Sequence, residues 1–257
     1  MKLDTSIIKD YLSGNCEYKN HWIFRSIDEN GNYLFDCPSD EDKDTVQTAL
    51  KDVLITLDGF NPYNSELFQR LFPKWREVCD TLNVVFAVGC PAPYDAMVRE
   101  HNGEEFIIID LIRLMSYGME MKSLITPFFT HELSHICIHK DFPGMIEADD
   151  YRKKLENIVF DEGFAHLLSF RSNIEQVDFT PFIKDHYQKS CCKLREAICE
   201  TDTSRQAACL ADSNEGNYWD KYGAISGMLY LAMHIKEVEV IYEAGPERMI
   251  KNIAIEE

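Results

Sequence analysis

Basic side chains are scarce in this sequence of 257 residues. It has 26 Lys and Arg against 44 Asp and Glu, and its formal net charge is −18. A protein that binds nucleic acid needs clustered Lys and Arg to neutralise phosphates, and binding to anionic membrane surfaces makes the same demand. The composition therefore argues against nucleic acid and anionic membranes as partners.

Long uncharged runs are also missing. The longest, Thr81–Tyr94 and Tyr222–Ile235, are shorter than the roughly 20 apolar residues that a membrane-spanning helix needs. The first residues alternate charged and apolar side chains and lack the continuous apolar segment of a secretory signal. We therefore expect a cytoplasmic protein with no membrane partner.

The nine Cys residues contain no C-x-x-C spacing. Scattered thiols of this kind are typical of reduced proteins in the cytosol. Cys191, Cys192 and Cys199 are close enough in sequence to form a redox or metal cluster. Three Cys on one predicted helix without a spaced partner are more typical of ordinary helix residues, however. The hydrophobic share of 45% is sufficient for a full core, so disorder is not expected.

Strand signals are confined to the first half of the chain. The predicted elements are a hairpin over Trp22–Asp36 with Asn30-Gly31 at its turn, a strand at Val84–Val88, and a strand at Phe106–Leu111 after an Asn102-Gly103 turn. The second half is predicted to be almost wholly helical. This segregation favours an α+β fold, with a small β-containing N-terminal half, over a doubly wound sheet.

Helical periodicity covers most of the remaining chain. Asp40–Asp58 has apolar residues at helical spacing, and Pro73 divides the next apolar stripe into two helices, the second of which starts there. Thr126 and Pro127 are typical of a helix start, as N-cap and first helical residue. The candidate helices of the second half are Pro127–His139, Asp149–Arg171, Pro181–Glu200, Asn217–Val238 and Pro246–Ile255.

One of these helices contains the pattern H-E-x-x-H, from His131 to His135. A spacing of four residues places both imidazoles on one helix face, one turn apart, where they can bind one zinc ion. Glu132 lies about 100° around the helix from His131, so it would stand beside the metal. This is the position of a general base that takes a proton from metal-bound water. The alternative is an amphipathic core helix with two ordinary His.

A third metal ligand is needed, and three residues compete for the role. Asp141 follows His131 by ten residues, but the Gly that turns the chain back in metzincin-type sites is replaced by Ile138. His139 lies about 12 Å along the helix from His131, too far to share one ion, and is better explained as a helix-end residue.

Glu162 is the favoured third ligand. It lies on one helical face with Leu155, Ile158 and Val159. A carboxylate in such an apolar stripe is costly unless it is paired or binds a metal. A core Glu held in a salt bridge remains the alternative. His166, one turn later, is a candidate for the surroundings of the metal or the lining of the cleft.

The H-E-x-x-H pattern followed by Asp161-Glu162-Gly163-Phe164-Ala165 resembles the gluzincin branch of zinc metallopeptidases, closest to its aminopeptidase-like members. The resemblance covers about 40 residues and implies a zincin-like fold. It also implies that His131, His135 and Glu162 bind zinc and that Glu132 is the base. Two features differ: 26 residues separate His135 from Glu162, and no Gly-x-Met-Glu-Asn signature precedes the motif. Exopeptidase specificity therefore does not carry over.

A zincin-type mechanism needs two further parts. An edge strand usually holds the extended substrate, and Phe106–Leu111 is the best candidate, although an interior core strand fits as well. The oxyanion needs a donor besides the metal. Tyr218, Tyr222 and His234 lie on one predicted helix, and we favour Tyr222 because Gly223 and Gly227 would let that helix approach closely; otherwise these Tyr are core aromatics.

The leading hypothesis is a zinc-dependent peptidase acting on a peptide or protein substrate. The alternatives are an inactive or regulatory binding protein on a metallopeptidase scaffold, and a purely structural zinc site. A structural site usually has four protein ligands, whereas three candidates are found here. We expect residues 1–60 to form an N-terminal segment of a hairpin and a helix, and residues 61–257 to form the zincin-like catalytic domain. The sequence gives no oligomeric state.

Overall fold

A computed structural model of the chain describes residues 1–29, 32–92, 94–118 and 121–255. The fold is mixed α/β with a small four-stranded sheet. The strands are β1 (Lys2–Asp4), β2 (Asp28–Glu29), β3 (Asn32–Tyr33), β4 (Asn83–Ala87), β5 (Ala96–His101) and β6 (Glu104–Asp110). The helices are α1 (Ser6–Ser13), α2 (Lys43–Asp58), α3 (Ser65–Leu71), α4 (Trp75–Thr81), α5 (Leu111–Met115), α6 (Met121–Asp141), α7 (Tyr151–Phe170), α8 (Thr180–Phe182), α9 (Gln188–Ile198), α10 (Thr203–Asn214), α11 (Tyr222–Met233) and α12 (Val238–Ile255). A π-helical turn, Ile183–Tyr187, joins α8 to α9.

The four-stranded sheet has the order β1-β4-β6-β5, with β5 antiparallel to β6 and the other pairs parallel. The predicted edge strand, Phe106–Leu111, is therefore wrong as an edge, because β6 lies between β4 and β5. The reason is visible in its burial: Ile107, Ile108 and Ile109 are all buried, as in strands covered on both faces. Asn102 and Gly103 adopt positive φ and form the tight turn between β5 and β6, as predicted.

The predicted hairpin over Trp22–Asp36 is shorter than expected. Trp22–Arg25 forms a 3₁₀ turn, and only β2 and β3 pair as antiparallel strands. The predicted turn residues, Asn30 and Gly31, lie outside the described residues. The sequence therefore identified the hairpin but not its extent.

Three helix starts differ clearly from prediction. The predicted helix Asn217–Val238 begins at Tyr222, after a 3₁₀ turn over Tyr218–Asp220, and ends at Met233. Helix α6 begins at Met121, so Pro127 lies inside it, because the buried side chains of Met121 and Ile125 continue its apolar face towards the N-terminus. Pro73 does separate two helices, but the second, α4, starts at Trp75. Five of the labelled elements were not predicted: β1, α1, β5, α5 and α10.

The chain divides into two compact units: residues Met1–Pro62 with Lys74–Leu133, and residues Tyr63–Pro73 with Ser134–Glu257. The predicted N-terminal segment 1–60 lies wholly within the first unit, which extends well beyond it. The first unit contains the sheet, and its core is built on β4 and β6, with α1 against β4 and α2 against α1 and α5. The division after Leu133 falls inside helix α6, where the sequence carries no linker.

The second unit is helical in its described part. Helix α7 packs along α11 and also contacts α10 and α12. Helix α11 is buried on every side from Tyr222 to Ala232. Helix α12 bends at Gly245, which has φ 78°. Phe142, Phe160, Phe164 and Tyr242 form an aromatic core around α7.

Candidate metal centre

Helix α6 presents the first two candidate ligands. One face of the helix is covered by protein. It carries buried apolar side chains at intervals of three or four residues: Ile125, Phe129, Leu133 and Ile136. His131 is half-buried and His135 is buried, with 7% of its surface exposed. Glu132, between them, is equally buried. The helix is continuous through all three residues, so the predicted spacing of one turn between the two His is confirmed.

Helix α7 presents the third candidate. Its N-cap is Asp150, whose side chain accepts from the backbone N–H of Lys153 at 3.0 Å. Leu155, Val159 and Phe160 are fully buried, and the side chain of Glu162 is 18% exposed. Glu162 is therefore not part of a solvated face, which agrees with its place in an apolar stripe.

The two helices bring these side chains together. One ligand atom from each of His131, His135 and Glu162 lies within 4.8 Å of the other two. A tetrahedral zinc ion with bonds of about 2.0–2.1 Å places its ligand atoms about 3.3 Å apart, so a small closure around the ion is enough. In the described part of the chain this is the one group of three or more His, Cys, Asp or Glu arranged to hold a metal.

Asp161 contacts two histidines of helix α6. Its Oδ1 lies 2.9 Å from Nδ1 of His135, and its Oδ2 lies 3.3 Å from Nε2 of His139. A carboxylate only accepts, so a proton in the contact with His135 would sit on Nδ1, and Nε2 would then keep the lone pair that a metal needs. Burial raises the pKa of Asp161, but the two imidazoles outweigh this and hold it below its ordinary value.

His166 stands against Glu162. Its Nδ1 lies 3.0 Å from the backbone carbonyl of Glu162 and 3.3 Å from Oε2 of the same residue. Its ring also contacts that of Tyr218, with centroids 5.2 Å apart. The predicted place of His166, beside the third ligand, therefore agrees with the structure.

Helices α7 and α11 pack closely together next to Glu162. A Cβ atom built on Gly227 would lie 2.2 Å from the carbonyl oxygen of Val159, and one on Gly163 would lie 2.9 Å from Cα of Gly227. These glycines let the two backbones touch. The close approach predicted for the helix that carries Gly227 is confirmed at its contact with α7.

Tyr222, the predicted oxyanion donor, uses its hydroxyl elsewhere. The hydroxyl donates to the backbone carbonyl of Cys209 at 2.7 Å, and burial raises the pKa of Tyr222 above its ordinary value. The single hydroxyl proton is thus committed to α10, and this arrangement argues against the oxyanion role. The ring of Tyr218, which was also considered for this role, contacts that of His166.

The residues discounted as third ligand have other contacts. Asp141 accepts a hydrogen bond from the hydroxyl of Tyr242 at 2.8 Å. His139 lies in the last turn of α6, as predicted, but its contact with Asp161 was not foreseen. Cys191 is buried while Cys192 and Cys199 are exposed, in agreement with ordinary helix residues.

The contacts of Asp161 are the main feature that the sequence analysis missed. Its position directly before the favoured ligand is visible in the sequence, but its partners lie on another helix.

Comparisons with protein-family models, with curated proteins and with solved structures find no significant match for this chain. Among the described residues, no helix is both long enough and apolar enough to cross a membrane. The geometry of the site therefore carries the functional argument.

Proposed function

We propose that this protein is a zinc-dependent hydrolase that cleaves peptide bonds. The observation that carries the proposal is the convergence of His131, His135 and Glu162, whose ligand atoms lie within 4.8 Å of one another. Two imidazoles and one carboxylate are the donor set of catalytic zinc sites, which leave the fourth position to water or substrate. A structural zinc site is disfavoured because a fourth His, Cys, Asp or Glu does not join the group in the described chain.

Zinc bound there would polarise a substrate carbonyl and lower the pKa of a bound water. The remaining chemistry belongs to side chains of this chain. Asp161, with its Oδ1 2.9 Å from Nδ1 of His135, would accept a hydrogen bond from Nδ1–H and so orient the imidazole with Nε2 towards the metal. Glu132, adjacent to His131, takes the proton of the attacking water on its carboxylate and passes it to the nitrogen of the leaving amine.

The choice of a peptide substrate rests on the resemblance to gluzincin peptidases in the two motifs. The surplus of carboxylates gives the molecule a negative field, which disfavours polyanionic substrates and favours neutral or basic peptides. Peptides are therefore the substrate class to test first.

Glu132→Gln tests the proposal. We expect the purified protein to contain about one zinc ion per chain, measured by plasma mass spectrometry. The variant should keep this zinc, because Glu132 is not a ligand, and should lose cleavage of a mixed peptide library. Glu156→Gln is a suitable control, since Glu156 is similarly buried on α7 and pairs with Arg152 at 2.8 Å, outside the metal group. It should retain both zinc and cleavage.

Two results would refute the proposal: no zinc in protein prepared with excess zinc, or undiminished cleavage by Glu132→Gln. Zinc without cleavage in the unsubstituted protein would point instead to an inactive or regulatory protein on a metallopeptidase scaffold.

A further inference from the structure

A cluster of aromatic rings in the second unit adjoins His166, which contacts the candidate ligand Glu162. The ring of Trp219 stacks on His186 at 4.1 Å and on Phe182 at 5.4 Å, with interplanar angles of 9° and 11°. Phe170 contacts both Phe182 and Trp219 edge-on. Tyr218 contacts Phe170 and Trp219. We call these five residues the aromatic cluster.

The cluster is connected to the metal group through one residue. His166 contacts Oε2 of Glu162 with its Nδ1 and the ring of Tyr218 with its own ring. His166 lies about 6 Å along α7 from Glu162, since each helical residue rises about 1.5 Å. An extended peptide covers that distance in about two residues. Tyr218 lies one ring contact of 5.2 Å beyond His166, so a substrate held at the metal would reach the cluster within a few residues of the bond that is cut.

The rings of the cluster are not covered as core rings are. Tyr218 is 39% exposed, and Phe170, Phe182, His186 and Trp219 are half-buried. Phe179, which contacts both Phe170 and Phe182, is buried. The cluster therefore packs against a buried ring at Phe179, while its own five rings remain partly accessible to solvent.

The backbone that carries the cluster is unusual. His186 lies in the π-helical turn Ile183–Tyr187, directly after Phe182 at the end of α8. Such turns are rare and occur frequently at functional sites. The guanidinium of Arg171 lies 5.5 Å and 5.8 Å from the ring centroids of Phe170 and Phe182, at an exposed position. A cation at the rim leaves the apolar face available for a neutral ring.

We infer that the aromatic cluster is a specificity subsite that binds an aromatic side chain of the substrate, within a few residues of the scissile bond. The inference rests on the proposed peptidase function and names its substrate class. An aromatic occupant is favoured over an aliphatic one because flat, half-open rings offer both stacking and edge-to-face contacts.

A binding experiment tests the subsite without catalysis. Zinc-loaded Glu132→Gln protein is labelled with 5-fluorotryptophan and titrated with N-acetylphenylalanine amide or N-acetylalanine amide at millimolar concentration. The chain has three Trp, and their fluorine signals are assigned with Trp22→Phe and Trp219→Phe. We expect the phenylalanine probe to shift the Trp219 signal and the alanine probe to leave it unchanged.

A cleavage experiment adds the specificity. In a mixed peptide library, the unsubstituted protein should favour peptides with Phe, Tyr or Trp near the cut. Trp219→Ala should lower kcat/KM for such a peptide by about tenfold or more relative to its Ala counterpart. Phe182→Leu, which keeps apolar volume and removes a flat ring, should show a smaller change in the same direction. The matched control is Trp22→Ala, because Trp22 stacks on His101 at 4.3 Å and 3° in the other unit.

The outcomes separate this inference from the proposed function. Cleavage without aromatic preference and without a Trp219 shift would overturn the subsite and leave the peptidase standing. A selective Trp219 shift in a protein that cleaves no peptide would support aromatic binding and refute the peptidase. An equal loss of selectivity in Trp22→Ala and Trp219→Ala would also overturn the subsite, because the effect would then be general.

Discussion

At the scale of single residues, the contacts of Asp161 are the feature of the candidate site that the sequence motif does not predict. One carboxylate contacts two imidazoles of another helix, His135 and His139. The sequence predicted His131, Glu132 and His135 well, because their relation depends only on helix geometry. It could not predict that Asp161 faces His135, because 25 residues lie between positions 135 and 161 and only the packing of α6 on α7 decides that contact.

Removal of Asp161 should weaken metal binding. Asp161→Ala leaves the imidazole of His135 without its carboxylate, and we expect zinc affinity to fall about 10- to 100-fold. Asp161→Asn should lose less, because an amide oxygen still accepts from Nδ1. Competition with a fluorescent zinc chelator measures both affinities, with Asp149→Asn, an exposed carboxylate of the same unit, as the control. Unchanged affinity in Asp161→Ala would contradict the orienting role.

At the scale of elements, the contact of α7 with α11 depends on glycine. The sequence indicated close approach because Gly223 and Gly227 lie one turn apart on one predicted helix. It also led us to favour Tyr222 for catalysis, and that residue instead bonds to Cys209 of α10. Glycine spacing shows that a helix can approach, but the direction of a side chain depends on which neighbours fill the space.

An added methyl group at this contact should be destabilising. In Gly227→Ala the new Cβ would lie 2.2 Å from the carbonyl oxygen of Val159, and backbone atoms cannot yield as a flexible side chain does. We expect a loss of about 1–3 kcal/mol in the free energy of unfolding, measured by urea denaturation. Gly144→Ala is the control, because nothing lies within 4 Å of its Cβ position. Equal stability of the two variants would be inconsistent with this packing.

The junction of β6 and α5 should respond to pH. Asp110 accepts from the backbone N–H groups of Ile112, Arg113 and Cys90 at 2.9, 3.0 and 2.7 Å. Burial raises the pKa of Asp110 to about 6, although these three donors act in the opposite direction. Its folded pKa thus exceeds the unfolded value of about 3.9. Its contribution to stability is therefore fully present below pH 4 and is lost as the pH rises through 6.

The comparison that isolates this effect is between the unsubstituted protein and Asp110→Asn, both without metal. The difference between their free energies of unfolding should narrow by up to about 3 kcal/mol between pH 4 and pH 7. Only the unsubstituted protein loses the stabilising contribution of protonated Asp110 as the pH rises. A difference that is independent of pH would show that folding leaves the pKa of Asp110 close to its unfolded value.

At the scale of the whole molecule, the segregation of strands and helices was the most predictable property. Strands end at Asp110, and the described chain after residue 121 is helical or in connecting loops. The division into units was not predictable, because it crosses α6 at Leu133 without any change in composition. The order of strands in the sheet was also not predictable. The apolar run of β6 indicated that it is buried but not which strands lie beside it. Strand β5 was not recognised because exposed and polar residues are among its six.

Metal binding should stabilise the folded chain as a whole. A ligand that binds only the folded state adds RT ln(1 + [L]/Kd), about 2.7 kcal/mol when free zinc is 100 times its Kd. Thermal unfolding with buffered zinc should therefore show a higher Tm than with chelator. His131→Ala should remove the difference, since it deletes one of the converging ligands. A Tm that does not change with zinc in the unsubstituted protein would argue against a bound ion.

Helix α11 has a consequence for how the molecule opens. Its residues from Tyr222 to Ala232 are all buried; Gly227 lies against the backbone of α7, and Gly223 lies against Ser213 of α10. Exposure of its amides therefore requires these neighbouring helices to separate from it. Amide hydrogens of α11 should therefore exchange with solvent only through the highest-energy openings of the second unit, and the amides around Glu162 should share that slow rate.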